Sequence, residues 1–329
     1  MKIDGFLLAI SAAVGLAFAF PAIGASSGPL AMGTVTDLGV ALVFFLHGAA
    51  VSPRAMKAAV GKWQLHIVVQ ASTYVLFPLI GLAAWFALTD VLALELRIGL
   101  FFLCAISSTI SSSVAFTAIA RGNVPAAIFN ATLSGLIGMV LTPLLMGLVL
   151  AQGASAIPIL SQIGGIVTKL LLPFLLGQLL RAPLAAFLDR HKTMIGKADR
   201  AVIVLIVYTA FCDAAGAGMW TRANLASITV ITLLCSALLA VVLALTTCVS
   251  RLLSFPVEDE IAAVFCGSKK SLANGAPIAK VLFGVSPALS MILVPLLIYH
   301  QIQLVVCGVL AGRYSRREAD LSSQGSSVP

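Results

Sequence analysis

Apolar residues fill this chain in long uninterrupted blocks, and polar residues collect in short gaps between them. A helix that crosses the hydrocarbon core of a bilayer needs about 20 apolar residues. Ten stretches approach that requirement, near 5–23, 34–52, 63–88, 98–120, 124–151, 159–181, 201–219, 223–250, 260–283 and 287–312. The pattern predicts an all-α integral membrane protein of ten transmembrane helices.

Two of these stretches are interrupted by polar residues. Residues 267–280 read GSKKSLANGAPIAK, and residues 104–121 read CAISSTISSSVAFTAIAR. Shifting the chain against itself by 162 residues lays one on the other. The same shift pairs Gly15 with Gly177, Pro21 with Pro183, Asp37 with Asp199, Cys104 with Cys266, Gly122 with Gly284 and Pro125 with Pro287. Five spans per unit is an odd number, so the second unit enters the membrane upside down. The predicted organisation is a first five-helix repeat at 1–156, an inverted second repeat at 157–312 and a disordered polar tail at 313–329. Inverted repeats with matched interrupted segments are the plan of secondary transporters, whose sites lie near the membrane midplane.

Charge fixes the orientation. The chain is 60% hydrophobic and 10% charged, with a mean hydropathy of +1.09. One set of connections holds Lys62, Arg121, Arg190, Arg251, Arg313 and most other basic residues, whereas the opposite set holds only Arg97 and Arg222. The positive-inside rule then puts both termini in the cytoplasm. The predicted location is the plasma membrane, in a bacterium the inner membrane. The net charge of +8 follows from this topology, so nucleic-acid binding is not needed to explain it. The first apolar run, with Lys2 before it and AIGASS after it, also fits a signal peptide; the repeat argues for a retained span. The six cysteines form no CxxC pair and read as small packing residues.

The interrupted segments carry the candidate chemistry. Pro277 has no amide hydrogen and frees the Ala273 carbonyl, so the ninth span is expected to unwind near Asn274 and Gly275, facing the fourth near Ser111, Ser112 and Ser113. A lysine at the centre of a span costs roughly 2.5–3.5 kcal/mol on insertion scales. Lys269 and Lys270 are too deep to snorkel, and Lys280 is expected to reach the interface. Lys169 and Asp213 are further charges within spans, and His47 reads either as a proton relay or as a hydrogen-bonded packing histidine. Gln178, Gln301 and Gln303 read either as cavity-facing residues or, the commoner use, as interhelical hydrogen-bonders. No HExxH, GxSxG or Asp-rich metal motif is present, so no enzyme is predicted.

Two inverted halves, a Ser/Thr-rich fourth span and a broken ninth with an Asn-Gly-Ala-Pro turn resemble the bile acid:sodium symporter family. GSKKSLANGAPIAKVLF, together with ARGNVPAA and VLTPLL, is similar to its SBF-like branch, and the resemblance covers nearly the whole chain. It implies a panel of helices 1, 2, 6 and 7 and a core of helices 3–5 and 8–10, in which discontinuous helices 4 and 9 cross. It implies alternating access for an organic anion, either bile acid-like or a small carboxylate or sulfate metabolite, bound between core and panel within membrane lipid. The alternative is a sensor or regulator that keeps the carrier fold without turnover. No cofactor is implied; the coupling alternatives are sodium, a proton, or no coupling ion.

Residue by residue, the resemblance brings Thr73, Ser108, Thr109, Ser112, Ser113, Asn130, Thr132, Lys269, Lys270 and Asn274 to the substrate and ion region. Departures from the family pattern are concentrated there. Lys269 stands where other members carry a sodium-binding glutamate, and Ala273 replaces a glutamine. Thr73 replaces a glutamine five residues before Pro78, and Ser113-Val114 replaces a Ser-Asn pair. A residual sodium site through Ser112, Ser113, Asn130, Thr132 and Asn274 remains. The expectation is that the Lys269 ammonium takes the place of a sodium ion, held by hydroxyls, the Asn130 side-chain oxygen and freed carbonyls, with Lys270 assisting it or facing substrate.

Overall fold

The computed structural model describes residues 5–50, 61–150, 165, 167–222, 225–284 and 286–325. Every regular element among them is helical. Helices α1 (Gly5–Ala19) and α2 (Met32–Ala50) are followed by α3 (Trp63–Ala87), which contains a π-helical turn at Ser72–Leu76. Next come α4 (Leu94–Ala105), α5 (Ser111–Ile119) and α6 (Val124–Leu150). A second π turn, Val167–Leu171, leads into α7 (Leu172–Leu179) and then α8 (Arg181–Arg190). The chain closes with α9 (Lys192–Gly216), α10 (Leu225–Leu252), α11 (Val257–Ser268), α12 (Leu272–Phe283) and α13 (Leu289–Gly325).

Five of these helices, α2, α3, α6, α10 and α13, are singly long and apolar enough to cross a bilayer. The stretches at 98–120 and 260–283 fall on the pairs α4/α5 and α11/α12, whose halves are each too short to span alone. Helix α8 turns off α7 by 84°, at the start of the Arg/Lys-rich connection. The expected disordered tail is helical as far as Gly325. Its sequence from Arg313 to Gln324 contains no proline or glycine, and just over half of it is Arg, Glu, Ala, Leu or Gln, which sustain a helix better than the intervening serines.

The helices sort into two groups by packing. In the first, α1 lies on α9, and α2 lies on α7, α8 and α9. In the second, α4 packs on α3, α6 and α13, while α11 packs on α3, α5, α6 and α10. The groups meet mainly where α9 contacts α12 and α13. Helices α2 and α7 approach through facing glycines. A Cβ on Gly48 would lie 2.0 Å from the Phe174 carbonyl oxygen, and one on Gly177 would lie 2.0 Å from that of Phe45. Small residues let membrane helices come this close.

Polarity is inverted relative to a soluble domain. Leu38, Leu79, Leu148 and Leu233 are exposed on outer faces, whereas Lys269 and Lys270 are fully buried. The acids of the first turn of α11 complement its helix dipole and anchor that end. Asp259 accepts from Lys62 Nζ at 2.5 Å and Asn123 Nδ2 at 2.7 Å, and Glu260 accepts from the Tyr314 hydroxyl at 2.7 Å. Arg251 closes the set at 3.2 Å from Glu260. With its start held by residues on or next to four other helices, α3, α6, α10 and α13, the end of α11 is placed at the centre of the second group.

Candidate functional site

The two helix breaks face each other. Helix α4 ends at Ala105, where Ile106 turns extended, and helix α11 ends at Ser268, where Lys269 turns extended. The intervening extended segments bond directly, Ser271 N–H donating to the Ser107 carbonyl at 2.9 Å. Asn274 Nδ2 adds a bond to Ser107 Oγ at 2.9 Å, and Ser108 N–H donates to Ser134 Oγ at 2.9 Å.

Ending a helix leaves its last four carbonyls without intrahelical donors, and here, buried in protein, they must find partners within it. At α11 each of the four receives a hydroxyl. Ser113 donates to Phe265 at 3.1 Å, Ser108 to Cys266 at 2.7 Å, Ser72 to Gly267 at 2.8 Å and Tyr299 to Ser268 at 2.6 Å. Two of these four donors, Ser108 and Ser113, come from the serine-rich run, which thus helps to cap the opposite broken helix. Gln303 completes the break, accepting from Lys270 N–H and donating to its carbonyl, each at 2.9 Å.

At α4 the corresponding donor is a lysine. Lys270 Nζ donates to the carbonyls of Cys104 at 2.9 Å and Ile106 at 2.8 Å, while Thr142 caps Ala105 at 2.9 Å. A positive charge at the C-terminal end of a helix is favoured by the helix dipole. The third acceptor is the Thr73 carbonyl at 3.1 Å. Its availability follows from local sequence. In the π turn Ser72–Leu76 the Ser72 carbonyl takes the N–H of Phe77, so the Thr73 carbonyl faces residue 78, a proline with no hydrogen to give. Three carbonyl oxygens thus surround one ammonium, and the Phe77 ring lies 4.0 Å below it.

Lys269 occupies a different environment. Its ammonium sits 3.9 Å over the Phe116 ring, close to Cys266 and Cys307, and has no hydrogen-bond partner among the described residues. The expected roles of the two lysines are thereby exchanged: Lys270, not Lys269, lies among freed carbonyls. Two features moved the register. Ser271 caps α12 through the Asn274 N–H at 3.1 Å, so the helix is already formed at Asn274 and Gly275, and the unwound residues are Lys269 to Ser271. Pro277 then falls in the second turn, where its missing bond leaves the helix continuous. Likewise the break in the first half is at Ile106 to Ile110, and Ser111, Ser112 and Ser113 already belong to α5. Gly275 serves close approach, since a Cβ there would lie 2.6 Å from Leu296.

The residues expected to hold sodium mostly act as hydrogen-bond donors within the crossing, which leaves their oxygen lone pairs available. Ser113 Oγ donates to the Phe265 carbonyl, Asn130 Nδ2 to the Ala126 carbonyl at 3.0 Å, and Asn274 Nδ2 to Ser107 Oγ. Ser112 Oγ is buried without a partner, and Thr132 is half-buried on α6. Thr109 is buried within the first break. No carboxylate accompanies these groups, and the central carbonyls hold Lys270.

His47, Lys169 and Asp213 lie in the first helix group, apart from the breaks. Lys169 pairs with Asp37 at 2.9 Å, and His47 Nε2 lies 3.6 Å from Asp199. Asp213 accepts from Ser26 N–H at 2.7 Å and from the Ser26 hydroxyl. It borders a cavity of about 490 Å3 together with Pro21, Ser27, Gly216 and Pro287. Lys280 does not snorkel: it is buried on α12 and faces Asp37, Asp213 and Lys169 across the seam between the groups. Sequence reasoning missed Ser134, Tyr74 and Tyr299, because lone hydroxyls in apolar spans carry no local signal.

Comparison with known proteins gives one consistent result. Residues 4–316 match the SBF-like CPA transporter family. The chain is 46% identical over 326 residues to an uncharacterized protein of Pseudomonas aeruginosa, covering 99% of this chain and 97% of that one. It is 44% identical over 327 residues to YfeH of Escherichia coli, with the same coverage. It is 33% identical over 316 residues to sodium/bile acid cotransporter 7 of Danio rerio, covering 93% of this chain and 92% of that protein.

Proposed function

As the chain belongs to the SBF-like CPA transporter family, we propose that it carries a small organic anion across the membrane by alternating access, with Lys270 as a resident cation where an ion would otherwise bind. The observation that carries this reading is the pair of helix breaks meeting around one ammonium held by three carbonyls. An ammonium shares with sodium a single positive charge and an affinity for oxygen shells. Tethered to the chain, it satisfies those oxygens permanently, so sodium is not required at this crossing.

The ten-span inverted repeat is part of the proposal. The order of helices supports it: with α8 set aside as a bent connection, each half runs through three helices, a broken helix and a further helix, and the 162-residue shift carries the break after Ala105 to the break after Ser268 within one residue. The first packing group then corresponds to the panel and the second to the core. Helix α12 packs on α9 and α2 at the seam, whereas the main contacts of α5 among the described residues are with α6, α11 and α13. With the Arg121 end of α5 cytoplasmic, this is an inward-facing arrangement, sealed outside where Lys280 faces Asp37 and Asp213.

Uptake by the full chain in proteoliposomes tests the reading, with taurocholate and succinate as probes of the two anion classes. Flux of one probe that persists when choline replaces sodium supports it. Strict sodium dependence would overturn the role of Lys270. Probe binding without flux would favour a sensor.

A further inference from the structure

A groove of about 1010 Å3 runs between α10 and α13 on the outer face of the second helix group. Its walls are apolar, with Leu243 and Leu252 on one side and Val305 and Val309 on the other, and both of its charged residues are arginines. Leu252, Val305 and Val309 are all more than half exposed there. Arg251 follows Leu243 by two turns and Arg313 follows Val305 by two turns, so the arginines share one end of the groove. Cys248 lies on its wall and is the exposed cysteine of the six.

Apolar walls facing a bilayer accept any acyl chain; the charge at the end selects the headgroup. The Arg251 side chain is 68% exposed although Nε and Nη2 rest on Glu260. That carboxylate, which also takes the Tyr314 hydroxyl, offsets one of the two positive charges. Arg313 is exposed beside it, and Arg316 follows one turn later, also exposed. Basic pockets between membrane helices at the cytoplasmic side are built to hold anionic headgroups. We propose that this groove is a specific site for an anionic phospholipid, its chain along Leu243, Val305 and Val309 and its phosphate against Arg313 and the free edge of Arg251. The site rests on the proposed topology, which puts the Arg313 end at the cytoplasmic side, but not on the transport reading, because it lies on the exposed apolar face and not at the seam.

The test uses the purified, delipidated full chain in neutral detergent, titrated with phosphatidylglycerol or with phosphatidylcholine of the same acyl chains. Bound lipid is counted by native mass spectrometry, and unfolding is followed in parallel. Phosphatidylglycerol is expected to bind and stabilise the chain well beyond phosphatidylcholine. Arg313→Gln should weaken phosphatidylglycerol binding about five-fold, the effect of one basic contact at an anionic headgroup, whereas Lys197→Gln, an equal charge change at an exposed residue outside the groove, should leave it unchanged. Equal binding of the two lipids, or equal behaviour of the two variants, overturns the proposal. So does efficient dimer formation by a short bis-maleimide through Cys248, which would mean that a second copy covers the groove.

Discussion

Replacing each buried lysine by methionine should move stability in opposite directions. Methionine keeps the length and most of the volume of lysine while removing charge and donors. At Lys270 the change strips three carbonyls of their donor, and a hydrogen bond from a charged group contributes about 1.5–3 kcal/mol. The gross loss is therefore about 4.5–9 kcal/mol, offset by the several kcal/mol no longer spent burying an ammonium. A net loss of about 2–4 kcal/mol remains. At Lys269 no acceptor is lost, only a contact with the Phe116 ring, of about 0.5–2 kcal/mol. The same desolvation relief should leave Lys269→Met as stable as the parent or more so. A thiol-reactive dye suits the measurement, because Cys104, Cys212, Cys235, Cys266 and Cys307 are buried and react only on unfolding. The expected order of Tm is Lys269→Met at or above the parent, with Lys270→Met several degrees below. A larger fall for Lys269→Met, or equal falls, would refute the assignment of Lys270 as the cation of the carbonyl shell.

Three further outcomes follow from the same geometry. Lys270→Ala should leave the carbonyl shell facing a void that n-propylammonium can enter, so this cation should recover part of the lost Tm while tetramethylammonium, which has no N–H, should not. Gly177→Ala should cost at least about 1–3 kcal/mol through overpacking, because the clashing atom is the Phe45 carbonyl oxygen and helices α2 and α7 must separate to admit the methyl group; an unchanged Tm would mean that the pair is not in close contact. Cysteines introduced at Thr89 and Arg190 should react with an impermeant maleimide from opposite sides of the membrane, and labelling from one side would break the proposed topology.

For function, the alternating hydroxyl and ammonium caps make the crossing a stiff unit. The four carbonyls at the end of α11 are bonded from α3, from the first break, from α5 and from α13, so the half-helices cannot shift independently without uncapping one another. A rigid core of this kind favours movement as a body against the first group. Under the proposed alternating access, the seam at Lys280, Asp37 and Asp213 is where contacts would be exchanged, because charges on the two groups could separate and take up water there.

Membrane character, family and the position of the two interrupted segments were legible in the chain itself. They rest on block hydropathy, on lysine and arginine counts and on a contiguous motif, all of which are local or additive along the sequence. The distinction between Lys269 and Lys270 was not. Adjacent residues in an extended break point to opposite sides, so which ammonium meets the carbonyls depends on where α11 stops, and that is decided by hydroxyls from four other elements. Thr73 illustrates the same division: its proline partner five residues on is visible in the sequence, but the π register that frees its carbonyl exists only once α3 packs against the breaks. Lys280 was misplaced for a related reason. Its depth alone permits snorkelling, and only the arrival of Asp37 and Asp213 from distant helices turns it inward. Hydropathy can say that a charge lies within a span; the partner that makes its burial tolerable is a property of tertiary packing.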